Sequence, residues 1–163
     1  MTRLLSIAIG STCSRPGDRD GNLAQIGAFA AQAGKVGCDL LLTPEMSATG
    51  YGGYAEVLAL AETAGAGPIY QELRQLARAH SLVISAGFVE QAEGKRYLAQ
   101  YVVYPDGQFV VQRKHRVTPR EAPLTPAVEL YYDQSEDIGH VPAGSERFSF
   151  FQVKQVKCGI VIC

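Results

Sequence analysis

Net charge is almost absent from this sequence: fifteen Lys and Arg stand against sixteen Asp and Glu, a formal net charge of -1. A chain so balanced has no global field to attract nucleic acid or an anionic membrane. Long apolar runs are missing too, since no stretch approaches the roughly 18 residues that a membrane span needs. Residues 1–10 lack the long apolar core and the small-residue cleavage site of a signal peptide. The expected location is therefore cytoplasmic and the expected partner a small molecule. Cysteine is sparse: Cys13, Cys38, Cys158 and Cys163 form no CxxC pair, and their spacing does not read as a disulfide scaffold. His80, His115 and His140 are scattered without metal-ligand spacing, so no metal is expected. Gly50, Gly52 and Gly53 are not followed by Gly-Lys-Ser or Gly-Lys-Thr, and Gly65 and Gly67 lack the third glycine of a dinucleotide fingerprint, so no nucleotide cofactor is expected. Repeats, linkers and low-complexity tracts are absent as well, and 163 residues suit one domain with a real core.

What is present alternates between strand-like and helix-like patterns. Leu4–Ile9 is short, apolar and β-branched, and a polar stretch over Gly10–Gly21 follows it, which predicts a strand and then a loop. Leu23, Ile26, Ala30 and Ala33 recur at spacings of three and four and predict a helix from Asn22, with Asp20 as its cap and Gly37 as its stop. Asp39–Thr43, with three consecutive leucines, reads as a strand buried on both faces, as parallel strands are. This is a βαβ unit. After a loop rich in Gly and Tyr, Pro68–His80 predicts a second helix with Ile69, Leu73 and Leu76 on one face, and Leu82–Val89 predicts a third strand. Leu98–Tyr104 and Phe109–Arg113, joined through Pro105, Asp106 and Gly107, predict an antiparallel hairpin. A proline-containing loop then leads to Phe148–Val153 and to an apolar run, Lys157–Cys163, expected as a final strand. A strand that ends a chain at a cysteine leaves nothing to complete the sheet edge, so the sequence is expected to be incomplete at its C-terminus.

Three positions are candidates for chemistry. Glu45 follows Leu40–Pro44, where a buried strand emerges at its carboxyl end, and open α/β sheets place their sites there; the alternative is a turn carboxylate facing water. Lys114 lies in Arg113-Lys114-His115-Arg116 at the exit of the hairpin, a run equally compatible with a solvated basic edge, and too short for a nucleic-acid patch. Cys163 ends the run Cys158–Cys163, where the alternative is a small hydrophobe. Cys13 and Cys38 have no acid or base near them in sequence and receive no role.

Taken in order, these signals resemble the nitrilase superfamily of carbon-nitrogen hydrolases. Leu41-Leu42-Thr43-Pro44-Glu45 with Thr49-Gly50-Tyr51, after a βαβ start containing Asn22-Leu23, is similar to its first signature. Gly87-Phe88-Val89-Glu90 resembles its third-strand ending. Tyr104-Pro105-Asp106-Gly107 leading to Arg113-Lys114-x-Arg116 resembles its hairpin and lysine signature, Val141-Pro142-Ala143-Gly144 its Pro-Gly loop, and Cys158–Cys163 its nucleophile strand. The resemblance covers essentially the whole chain. It implies that residues 1–163 are the N-terminal part of one carbon-nitrogen hydrolase domain, an α/β four-layer αββα sandwich. It further implies a Glu45, Lys114, Cys163 triad, no cofactor, a homo-oligomer, and hydrolysis of amide, carbamoyl or nitrile carbon–nitrogen bonds. Glu121 matches the family's assisting glutamate best, with Glu129 as the other candidate. The chain departs from the pattern where the family has an asparagine entering the hairpin strand, reading Leu98-Ala99-Gln100 instead, and after the lysine it reads His115-Arg116-Val117. These departures bear on the substrate.

The residue types suit the reaction. A thiol that forms a covalent intermediate divides one hard step into two easier ones, and a free thiol, mostly protonated at neutral pH, needs a base or a cation beside it. A carboxylate in a dry pocket can take the thiol proton and return it to the leaving amine. An ammonium held where the carbonyl oxygen becomes negative acts more strongly than in water. A linear amide or N-carbamoyl compound is expected ahead of a nitrile as substrate, with Tyr51 and Tyr54 as candidate pocket walls. Because a backbone N–H following the nucleophile would be the remaining oxyanion donor, the 163-residue chain is expected to be inactive and a longer one active. The rivals are a small-molecule binding domain of the same fold that lost its chemistry, and an α/β domain in which all three residues are structural.

Overall fold

The computed structural model describes residues 4–52, 54–117 and 149–163. The chain opens with β1 (Ile7–Ile9), α1 (Arg19–Lys35) and β2 (Leu40–Leu42), and β1 pairs parallel with β2 as the βαβ reading requires. The cap of α1 is Asp18 rather than Asp20: its carboxylate accepts from the Gly21 N–H, while Asp20 sits in the first turn. Both placements satisfy or complement the free N–H groups of a helix start, and sequence spacing does not separate two aspartates two residues apart. Leu23, Ile26, Ala30 and Ala33 are all buried, so the predicted face is the observed one.

The loop after β2 holds a short helix, α2 (Ala55–Leu58), which the Gly and Tyr content had concealed. Next comes α3 (Pro68–His80), with Pro68 at its start. β3 (Val83–Ala92) runs parallel to β2, then turns into β4 (Lys95–Val103), and β4 into β5 (Phe109–Arg113). The β3–β4 turn is made by Glu93 and Gly94, both at positive φ (53° and 78°), the conformation that tight hairpins with native twist demand. The order in the sheet is β1-β2-β3-β4-β5. A second, two-stranded sheet is made by β6 (Phe150–Val153) and β7 (Val156–Gly159). The expected strand over residues 157–163 is thus shorter at its end: pairing with β6 stops at Gly159, opposite Phe150, and residues 160–163 run on outside it.

Side chains that alternate along the large sheet divide its two faces. Leu41, Ile84, Tyr101, Val103 and Val111 pack with α1 and α3, whereas Leu40, Val83, Val102 and Val110 pack with Phe151 and Val153 of the small sheet. The period of two makes this division inevitable. The result is helices, large sheet, small sheet: three of the layers of an αββα sandwich, the fourth not being among the described residues. Polar links tie the sheets together. The Tyr104 hydroxyl donates to the Gln152 carbonyl at 3.0 Å, the Ser149 N–H donates to the Gln112 side chain at 2.6 Å, and Lys154 pairs with Asp39.

Candidate active site

Glu45 sits just past the carboxyl end of β2, and the chain there is held tightly. The Thr43 N–H and hydroxyl both donate to the Ser85 carbonyl at 3.0 Å. The Thr43 and Ser47 hydroxyls meet at 2.7 Å, and the Gly87 N–H donates to the Ser47 hydroxyl at 3.1 Å. Met46, immediately after Glu45, has φ 61°, a left-handed conformation that side chains disfavour. Gly87 explains how the turn packs: a Cβ there would lie 2.2 Å from the Met46 nitrogen and 2.9 Å from the Glu45 carbonyl carbon. Only a glycine in β3 lets the carboxylate-bearing turn lie against the sheet. Asn22, fully buried, ties in the neighbouring loop through the Arg15 N–H and carbonyl, each at 2.8 Å.

Lys114 follows β5 directly, and its N–H donates to the Leu98 carbonyl at 2.7 Å. Its side chain is only 2% exposed and its Nζ lies 2.9 Å from Glu45 Oε1. The basic run is therefore not a solvated edge at this position. Arg113, on the alternate side, forms a bidentate pair with Glu90 at 2.6 and 3.0 Å and lies 4.2 Å from the Tyr97 ring centre. His115 contacts Gln112 at 3.1 Å, and Arg116 is exposed.

Cys163 is exposed and borders a cavity of about 340 Å³ that Glu45 also borders. Leu42, Thr43, Ser85 and Gln100 of the large sheet form one wall, and Phe151 with residues 159–162 forms the other. The cavity lies between the two sheets, where the inter-sheet face changes from apolar to polar. Tyr51 and Tyr54, expected as pocket walls, do not border it; both are about half exposed. Glu121, Glu129 and the Val141–Gly144 motif lie outside the described residues. The four cysteines are all free thiols, and Cys158, packed with the inter-sheet core, has its pKa raised by burial. Among the described residues there is no cluster of His, Cys, Asp and Glu able to hold a metal ion, and no helix is long and apolar enough to cross a membrane.

Ser85 and Gln100 also border the cavity; Ser85 lies in none of the motifs quoted above, and Gln100 enters there only within the departure Leu98-Ala99-Gln100. Their signal in the sequence is a polar side chain inside a run that is otherwise apolar, Gln100 before Tyr101-Val102-Val103 and Ser85 after Val83-Ile84.

A sequence profile of the carbon-nitrogen hydrolases matches residues 6–163. The chain belongs to the carbon-nitrogen hydrolase family. An (R)-stereoselective amidase from a Pseudomonas species is 31% identical over 118 residues, 72% of this chain and 42% of that relative. The chain thus spans less than half of the curated relative it matches. Among solved structures, a mutant of the amidase from Nesterenkonia sp. AN1, carrying the product of Michael addition of acrylamide at its active-site cysteine, superposes with a TM-score of 0.77 at 20% identity, covering 98% of this chain and 57% of that one. A CN-hydrolase superfamily protein from Xanthomonas campestris with an arsenic adduct in its active site gives 0.76 at 18% identity, covering 98% and 53%. At these identities the likeness is one of fold, and it is the α/β fold expected for this carbon-nitrogen hydrolase from its sequence.

Proposed function

We propose that this carbon-nitrogen hydrolase chain forms part of a domain that cleaves a linear amide or N-carbamoyl bond through a thioester on Cys163. The observation that carries the reading is the contact between a buried ammonium and a carboxylate, Lys114 and Glu45 at 2.9 Å, beside a cavity that Cys163 also borders. In the proposed sequence the Cys163 thiol attacks the substrate carbon while Glu45 takes its proton. The carbonyl electrons move onto oxygen, where Lys114 stabilises the charge. Collapse expels ammonia or an amine, which takes its proton from Glu45 and leaves a thioester. Water, losing a proton to Glu45, then releases the acid and restores the thiol. An active-site cysteine that takes up acrylamide in the Nesterenkonia amidase supports a thiol nucleophile in this fold, and the Pseudomonas amidase supports an amide as substrate class.

The test is ammonia release by the full-length protein from simple amides, N-carbamoyl amino acids and nitriles. Amides or carbamoyl compounds are expected to be turned over, and Cys163→Ala is expected to abolish the release. The variant is expected to remain folded, which its circular dichroism spectrum checks. Undiminished release by Cys163→Ala would move the nucleophile elsewhere. Turnover of nitriles alone would reassign the substrate, and no turnover with ordinary iodoacetamide reactivity at Cys163 would favour a binding domain.

A further inference from the structure

We infer that Gln100 is a positioning residue for Glu45, an inference that rests on the reading of Glu45 as the base. Gln100 lies in β4 and is 8% exposed. A buried amide is unfavourable unless its hydrogen-bonding groups are satisfied, and a strand whose next three residues are Tyr101, Val102 and Val103 has an apolar side chain as its simplest solution. The amide has a specific use. Its Nε2 donates to the Thr43 carbonyl at 3.3 Å and to the Ser85 hydroxyl at 3.0 Å. Thr43 stands two residues before Glu45, and the turn that follows contains Met46 in its disfavoured left-handed conformation. A turn of that kind persists only where its surroundings over-determine it. Gly87 leaves room for it on the sheet, and Gln100, directly opposite Gly87 in the β3–β4 register and on the same face, ties it down.

The same strand places the lysine. Gln100 faces Gln112 across β4 and β5, and Leu98, two residues earlier, accepts the Lys114 N–H at 2.7 Å. β4 thus carries the contact that seats the turn before Glu45 and the contact that seats the backbone of Lys114, so its geometry sets how the carboxylate meets the ammonium. Truncating Gln100 releases the first of these contacts and leaves the second.

The experiment compares full-length wild type with Gln100→Met, which keeps the volume and loses the donor, and Gln100→Asn, which keeps the amide but is one methylene too short to span to Thr43. Tyr101→Phe serves as the structural control: it removes a buried hydroxyl bond to Glu62 on the opposite face of the same strand. Both Gln100 variants are expected to lose about ten- to a hundred-fold in kcat, the scale of a small misplacement of a catalytic group, with KM changed by less than about two-fold. Tyr101→Phe is expected to lower Tm and leave kcat unchanged. A second readout does not need turnover: the pH profile of Cys163 alkylation by iodoacetamide. The feature of that profile which Glu45→Gln removes is expected to move in the Gln100 variants and to stay in Tyr101→Phe. Gln100 variants that lose Tm as Tyr101→Phe does, with kcat and alkylation profile unchanged, would overturn the inference. If wild type releases no ammonia from any amide, the proposed reaction fails by itself, and the alkylation profile still decides the role of Gln100 in either direction.

Discussion

An ammonium withdrawn from water is costly unless a carboxylate and further donors and acceptors compensate it, which makes Lys114 at 2% exposure the most informative single side chain in the molecule. Its partner Glu45 retains 27% exposure, so the two ends of the pair are not equivalent. Glu45→Gln withdraws the carboxylate from a group that water cannot reach, and is expected to destabilise by about 1–3 kcal/mol. Lys114→Met replaces the charge by an apolar chain of similar length and leaves a carboxylate that water can still solvate, so it should cost less. Both are expected to abolish ammonia release. Chemical denaturation of the two variants checks the asymmetry; a Lys114→Met protein less stable than Glu45→Gln would contradict it. The candidate residues were legible in the sequence because each occupies a recognisable place: Glu45 after a triple-leucine strand, Lys114 at a hairpin exit, Cys163 at the end of an apolar run. Whether Lys114 was buried was not legible, because Arg113-Lys114-His115-Arg116 is as good a solvated edge as a site. The difference is made by Glu45, 69 residues away.

Helix α3 shows how an element can depend on one remote group. Its start has no side-chain cap of its own; the Glu62 carboxylate reaches in from the preceding loop to accept the Ile69 and Tyr70 N–H groups at 2.8 and 2.9 Å, and also accepts from the Tyr101 hydroxyl. Burial nevertheless dominates, and it raises the Glu62 pKa above 4.5 against the lowering effect of those bonds. A carboxyl whose folded pKa is raised binds its proton more tightly in the native state. Its contribution to stability is therefore fully present below the unfolded value and is lost as pH rises through the folded one. The Tm difference between wild type and Glu62→Gln should consequently move against wild type as pH rises from about 4.5, and a difference that stays constant or moves the other way would contradict the assignment. The periodicity of α3 gave its boundaries to the residue, whereas this cap, which comes from outside the helix, had no local signature. The same reason accounts for α2, whose buried Val57 and Leu58 pack against Val89 and Leu98 of the large sheet.

At the scale of the whole molecule, a sheet with one face against helices and the other against a second sheet leaves a place where the inter-sheet face turns polar. Thr43, Ser85 and Gln100 mark that place, Glu45 and Cys163 border the same cavity, and Lys114 reaches it through its ion pair with Glu45. The parallel start and antiparallel continuation were readable from the leucine-rich strand and the Pro-Asp-Gly turn. The early end of β7 was not, because the apolar run over residues 157–163 continues past Gly159, where its pairing with β6 stops opposite Phe150. The account's central claim is that a carbon–nitrogen bond is exchanged for a bond to Cys163. Peptide mass mapping after rapid acid quench of the full-length protein with a turned-over amide tests it most directly. The predicted result is an acyl group on Cys163, placed there rather than on Cys158 by fragmentation of the peptide that holds both, with Cys13 and Cys38 unmodified; continued ammonia release with the acyl group elsewhere, or with no acyl-protein at all on any quench time, would contradict it.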